Sequence, residues 1–271
     1  MLTELSATTL LRLTTEATFA TYHHAPCFRG RFDAVSAMIF SGESSMNYLI
    51  FEAAPPRELL GRTITAGQFL AARLDEYVRE AGEASFLALF SPEVAAAPGF
   101  AAAAAHHGLV KVETMPLMVC EATGFEVARN LDINVTRVAD ERDWLDFSAP
   151  VAAAFKLAET AVQRAMPASL IQHPGIELYL ARHTDGSAVA GAVFTTHGDV
   201  AGIWTMGTHP AHQGKGYGRV LLTQAMSDHH RRGIAAFYLD ATPAGERLYR
   251  RIGFRTVAEA EVWGKKLEVE S

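Results

Sequence analysis

The sequence predicts an α/β protein made of two halves, each a sheet flanked by helices. Three observations carry that reading. Strand-like apolar runs alternate with amphipathic helix-like runs between residues 47 and 118, and again between 133 and 266. A glycine-rich turn links one of these strands to a helix within residues 204–222. With 271 residues and 49% apolar content, the chain can bury one large or two modest cores.

Taken in order, residues 6–22 space Leu10, Leu11, Leu13, Ala17, Phe19 and Tyr22 as a helix does, until His23, His24 and Pro26 break the pattern. Residues 28–33 are turn-like, 37–40 form a short strand, and 47–51 form a stronger one before Pro55 and Pro56. Thr65 or Gln68 opens a helix through Leu70, Leu74 and Tyr77 that Gly82 ends. A strand over 85–90 follows, then Ser91 and Pro92 start an alanine-rich helix to about His107. Gly108 stops it ahead of a strand over 110–118.

Residues 121–131 lack periodicity and mark a boundary, which gives domains at 1–125 and 132–271. The second half opens with a strand over 133–138. Asp140 then caps a helix through Trp144, Phe147 and Ala152, and a second helical run covers 157–170. Strands over 176–182 and 189–195 turn at Asp185 and Gly186, and the strand over 201–208 leads into the glycine turn. A strand over 235–241 precedes a helix capped by Thr242, with Pro243 at its first position and Gly253 at its end.

Composition narrows the function. A net charge of -6 argues against general nucleic-acid or anionic-membrane binding, while leaving room for a cationic small substrate. Cys27 and Cys120 are too few for a disulfide framework and have no metal-ligand spacing, so a reduced, cytoplasmic setting is the simplest expectation. The histidines occur as helix neighbours (His106 and His107, His229 and His230) or without companion ligands, and no metal site is expected. The first residues lack the basic, apolar form of a signal peptide, and no apolar run approaches the ~18 residues that span a membrane.

The chemistry gathers at Gly214, Gly216 and Gly218, where a strand hands over to a helix. Bare amides there can converge on an anion at the positive end of the helix dipole, which makes a phosphate cradle. A Walker loop is excluded because Gly216 follows Lys215 and His209 holds the place of the first glycine. A dinucleotide fingerprint fails at Arg219, where its third glycine would stand.

The pattern Gln213-x-x-Gly216-x-Gly218 resembles the acyl-CoA loop of the GCN5-related N-acetyltransferase (GNAT) superfamily, with Thr208 departing from the usual valine two residues before Pro210. Leu248, Tyr249, Gly253 and Phe254 resemble the later Leu-Tyr-x-x-x-Gly-Phe motif of the same superfamily. The resemblance is best over residues 133–266. It implies a mixed central sheet flanked by helices, with a related but degenerate N-terminal half that lacks a glycine loop.

It also implies acetyl-CoA as cosubstrate. Backbone contacts are expected from Met206, Gly207 and Thr208, and a pyrophosphate cradle from Gln213, Gly214, Lys215, Gly216, Tyr217, Gly218 and Arg219. Tyr249 aligns with the tyrosine that protonates the departing thiolate. A base is not visible, because residues 203–206 hold no carboxylate. His209 is the nearby candidate, with a water chain or an already deprotonated amine as alternatives. Asp199 and Asp240 read as a turn residue and a strand-end residue.

The expected function is direct acetyl transfer to a primary amine of a small molecule. The alternative is an inactive acyl-CoA-binding sensor or scaffold. The acceptor and the oligomeric state are not legible, and a homodimer is compatible with everything above.

Overall fold

The computed structural model describes residues 5–265 apart from 44, 45 and 62. In chain order it contains α1 (Ala7–Tyr22), β1 (Arg29–Phe32), β2 (Ser36–Phe40), β3 (Asn47–Phe51), α2 (Arg57–Leu60), α3 (Ala66–Ala81), β4 (Leu87–Phe90), α4 (Pro92–Ala95), α5 (Phe100–His106) and β5 (Leu109–Glu121). There follow β6 (Ile133–Arg137), α6 (Glu141–Phe155), α7 (Glu159–Ala165), β7 (Ile176–His183), β8 (Ala188–His197), β9 (Val200–Thr208), α8 (Tyr217–Arg231), β10 (Ala236–Asp240), α9 (Pro243–Ile252) and β11 (Arg255–Lys265).

The chain forms two compact units whose limits differ from the boundary expected between residues 125 and 132. One comprises His24–Pro26 and Met118–Thr256; the other comprises Leu5–His23, Cys27–Leu117 and the described residues from Val257. Strand pairing explains the exchange. β11 lies antiparallel to β4, from Glu261 opposite Phe90 to Gly264 opposite Leu87. The last strand therefore completes the sheet of the N-terminal unit, and the 132–271 limit does not hold for it.

The N-terminal unit orders its strands β1, β2, β3, β4, β11 and the first part of β5. β1 and β3 flank β2 antiparallel, and β3 and β4 run parallel. Its core gathers Phe40, Phe51, Tyr77, Phe90 and Phe100 with Leu70 and Leu74 of α3. Two expectations change here. Residues 28–33 hold a strand instead of a turn; all four residues of β1 are exposed, so no apolar alternation announced it. The alanine-rich helix is two helices, α4 and α5, broken where Gly99 adopts φ +82°. Pro98 at that break approaches α3 so closely that a Cβ on Gly67 would lie 1.9 Å from its carbonyl oxygen.

In the C-terminal unit the order is the end of β5, then β10, β9, β8, β7 and β6. β10 and β9 are parallel and the others from β9 to β6 are antiparallel, which gives the mixed sheet predicted. α6 packs on one face, where Gly191 and Gly207 make room for Phe147, Val151 and Ala154. α8 and α9 cover the other face, burying Phe194, Ala201, Ile203, Phe237 and Leu239 against Leu221, Leu222 and Met226. The helical run expected over 157–170 is shorter: α7 ends at Ala165, and after Pro167 the chain makes a 3-10 turn over Ala168–Gln172.

A polar network fastens α8 to this sheet. Glu177 on β7 accepts hydrogen bonds from Arg232 at 2.7 and 2.6 Å and from Arg137 at 2.7 Å. The buried His229 ring stacks on Phe194 with its Nε2 3.1 Å from Glu177 Oε2. Burial alone would raise the Glu177 pKa, but the His229 and Arg232 side chains outweigh it and hold the carboxyl well below its ordinary range. Tyr179 completes the network by donating to Asp228 at 2.7 Å.

Candidate functional site

A fork between β9 and β10 organises the site. β9 pairs with β8 from Val200 to Thr208, but with β10 only at Val200, Ala201 and Gly202. Past the pair Gly202 and Tyr238 the two parallel strands part. Among the described residues, the edge of β9 from Ile203 onward has no ladder partner on the β10 side. Backbone donors and acceptors left open in this way can pair with an extended ligand.

The strand is irregular where it opens. Between the pairs Gly191–Gly207 and Val193–Trp204, β8 advances two residues and β9 three, so β9 carries a bulge. Thr205 lies inside it with φ +50°. A β-branched residue in that region is strained, by about 1–3 kcal/mol, and such strain tends to gather at functional sites. Sequence reading gives no sign of it.

The cradle lies beyond the end of β9. His209 caps a 3-10 turn over Pro210–His212, and Gln213, Gly214, Lys215 and Gly216 lead into α8. Gly214 and Gly216 have φ +76° and +81°, and a Cβ on either would find nothing within 4 Å. These two glycines are required for conformation, and they face open space. Gly216 is the N-cap of α8 and supplies no side-chain hydrogen bond, so the first amides of a 15-residue helix stay uncapped.

Gly218 works differently. A Cβ there would lie 2.6 Å from Met206 Cε and 3.1 Å from Thr208 Oγ1, so its missing side chain lets α8 close onto the end of β9.

The predicted site residues divide by what their side chains do. Met206 packs under Gly218, and Gly207 packs against Ala154, so both offer only backbone to a ligand. Gln213 is committed internally: its Nε2 donates to Thr208 O at 3.0 Å and its amide to Pro210 O. It shapes the loop and leaves little to hold phosphate. Tyr217 is buried and its ring lies near His183 and His212, which anchors the start of α8. Lys215 and Arg219 are exposed beside the open amides.

His209 accepts from the Ala211 amide at Nδ1 and faces a groove of about 500 Å³ between α6, α7 and the start of β8. That hydrogen bond occupies Nδ1 of the ring His209 would use as a base. Neighbouring His212 is held below its ordinary pKa by desolvation and by the Lys215 cation.

Tyr249 lies on α9 with its ring against Gly245 and Phe254. Its neighbour Leu248 reaches within 3.6 Å of the Gly218 Cβ position, so α9 packs against the first turn of α8. Burial pushes its pKa up to about 12, which keeps the phenol protonated at any physiological pH.

One further side chain stands at the fork. The Trp204 indole folds back over Gly202, where a Cβ would lie 2.6 Å from its Nε1. It donates to Thr195 Oγ1 at 2.7 Å and meets Tyr238 edge-on at 5.5 Å. Among the described residues there is no cluster of three potential metal ligands, and no helix is long and apolar enough to cross a membrane.

Comparison with known proteins agrees with this geometry. Residues 174–256 match the family profile described as "Acetyltransferase (GNAT) domain", a span that contains the fork, the cradle and Tyr249. A GCN5-related N-acetyltransferase from Kribbella flavida superposes with a TM-score of 0.67 at 20% identity, covering 96% of this chain and 95% of that one. One from Sphaerobacter thermophilus gives 0.63 at 17% identity, covering 86% of this chain and 77% of the other. A tandem GNAT protein from the clavulanic acid biosynthesis pathway gives 0.57 at 14% identity, over 95% and 92% of the two chains. Residues 174–256 of the C-terminal unit thus match the GNAT domain profile, in a chain that has the fold of these GNAT structures.

Proposed function

We propose that this protein transfers an acetyl group from acetyl-CoA directly to a primary amine of a small molecule. The observation that carries the proposal is the combination of an unpaired strand edge after Gly202 with an uncapped, glycine-lined helix start at Gly216. One is suited to the amide-rich pantetheine arm, the other to the pyrophosphate, and the open space beside Gly214 and Gly216 admits it.

The thioester supplies the activated acyl group. The open amides of β9 near the bulge can donate to its carbonyl oxygen, which gains charge as the amine attacks. Tyr249 gives its proton to the departing sulfur, a role suited to a phenol kept neutral by burial. Trp204 forms a fixed wall at the fork on the face of α6. Holding amine and thioester together there is worth up to ~7–11 kcal/mol.

The N-terminal unit takes no part as a second acyl-CoA site in this reading. β3 and β4 stay paired to their last residues, Phe51 and Phe90, so no fork opens. The start of α3 is closed by a capping box between Thr65 and Gln68.

A binding-only role is favoured by one feature, the lack of a carboxylate on β9 after Gly202. Calorimetric titration with acetyl-CoA, followed by a primary-amine screen for thiol release, tests both readings. Binding with turnover supports the transferase and removes the sensor. Absence of binding by the folded protein overturns both.

A further inference from the structure

We propose that Asp240 is the general base of this site and receives a proton from the acceptor amine. The proposal rests on the transferase reading above and adds the residue that β9 does not supply.

Register and alternation place it. The last pair between the parallel strands is Gly202 with Tyr238. On β10, Phe237 and Leu239 are buried in the core beneath α8, while the Tyr238 ring meets Trp204. Side chains alternate along a strand, so Asp240 shares the face of Tyr238 and Trp204.

Asp240 also stands two residues beyond the last pair on one arm of the fork, as Trp204 does on the other. The two positions are therefore level along the fork; the indole folds back over Gly202 toward Tyr238, which leaves the space beside Asp240 clear of it. Asp240 is half-buried, so part of its side chain is open to solvent. Its position is fixed from behind by the fully buried Ala241 and by Thr242, whose hydroxyl caps α9. The same strand and helix thus carry Asp240 and Tyr249, one for each end of the transfer.

The proton balance closes. The amine nitrogen forms its bond to the acyl carbon, and the carbon–sulfur bond breaks with its electron pair going to sulfur. An acceptor arriving as an ammonium loses two protons overall. Asp240 takes one and returns it to water; the other replaces the proton that Tyr249 gives to the thiolate. The products are the amide, free coenzyme A and one released proton.

The test uses the full chain with Asp240→Asn and Asp240→Glu. The probes are acetyl-CoA and a panel holding an alkyl diamine, an amino-acid amide and an aryl amine. Asp240→Asn should bind acetyl-CoA within about twofold of the wild type, while kcat/KM for the alkyl amine at pH 7 falls by about 10²–10⁴. Its log kcat/KM should then climb with unit slope toward the amine's own pKa, and weakly basic amines should lose much less. Asp240→Glu should recover part of the rate and the wild-type pH profile.

Unchanged kcat/KM in Asp240→Asn overturns the assignment, as does an equal loss for every amine with an unaltered pH profile, which marks a structural role. A wild type that binds no acetyl-CoA overturns the transferase reading itself and this proposal with it.

Discussion

Replacing Gly216 by aspartate should remove acyl-CoA binding, whereas alanine at the same place should leave most of it. Both residues suffer from the backbone, because φ is +81° there, at a cost of about 1–2 kcal/mol in folding stability. Neither meets a steric obstacle, since a Cβ finds nothing within 4 Å. The two variants differ in what they place in the cradle. A carboxylate about 4 Å from one phosphate charge repels it by about 4 kcal/mol near a protein surface, and salt reduces that figure. A net loss of ~2.7 kcal/mol already raises Kd a hundredfold. Titration calorimetry at moderate salt, with thermal melts to confirm folding, should give Gly216→Ala within a few-fold of wild type and Gly216→Asp at least a hundredfold weaker. Equal weakening in both variants would show that backbone strain, not charge at a phosphate, governs the effect; unaltered binding in the aspartate variant would place the cofactor elsewhere.

Tyr249→Phe should lower kcat by about 10²-fold or more while acetyl-CoA affinity stays nearly constant, as pre-steady-state thiol release and calorimetry would show. Gly202→Ala puts a methyl group 2.6 Å from the Trp204 Nε1, so the indole must swing away from Thr195. Its fluorescence should shift to the red, and the acceptor KM should rise more than the acetyl-CoA KM. Glu177→Gln should cost about 2 kcal/mol at pH 7, less than for a fully buried pair because Arg232 and Arg137 are 43% and 56% exposed. The folded-state pKa of Glu177 is depressed, so its contribution is present above the unfolded value near ~4.3 and is lost as pH falls below it. Urea midpoints of wild type and variant should therefore begin to draw together below pH ~4.3 and meet only once the pH passes the depressed folded-state value, far below the ordinary carboxylate range.

The sequence reveals the elements whose physics is local. Thr65, Asp140 and Thr242 cap helices as expected, since capping depends on residues three apart. The glycines of the cradle are legible because only their residue type tolerates the required φ. The features that make the fork a site are not local. Thr205 adopts a left-handed conformation that no residue rule would assign to threonine; the register between β8 and β9 imposes it. Asp240 reads as the end of a strand, and its position level with Trp204 depends on where two strands paired 36 residues apart stop pairing. Pairing across long separations also hid the place of β11, whose partner β4 lies in the other half of the sequence.

The two units show why such a site costs stability. Each presents a strand, a loop, a helix and then a parallel strand, as β3, α3 and β4 in one and β9, α8 and β10 in the other. In the N-terminal unit every local requirement is met internally. β3 and β4 pair to their ends, the Ser91 amide adds a further bond to Phe51 O, and Thr65 with Gln68 satisfies the start of α3. The C-terminal unit leaves the same groups open. A missing helix cap alone forgoes about 1 kcal/mol, and the strained Thr205 adds to the deficit. The Glu177 network and the dense core beneath α8 hold the helix in place without its cap. Open backbone groups held by a rigid surround are what a polar, extended ligand can complete. Capping α8 while keeping its shape should therefore raise stability and lower affinity together, whereas removing the cap of α3 should lower stability alone.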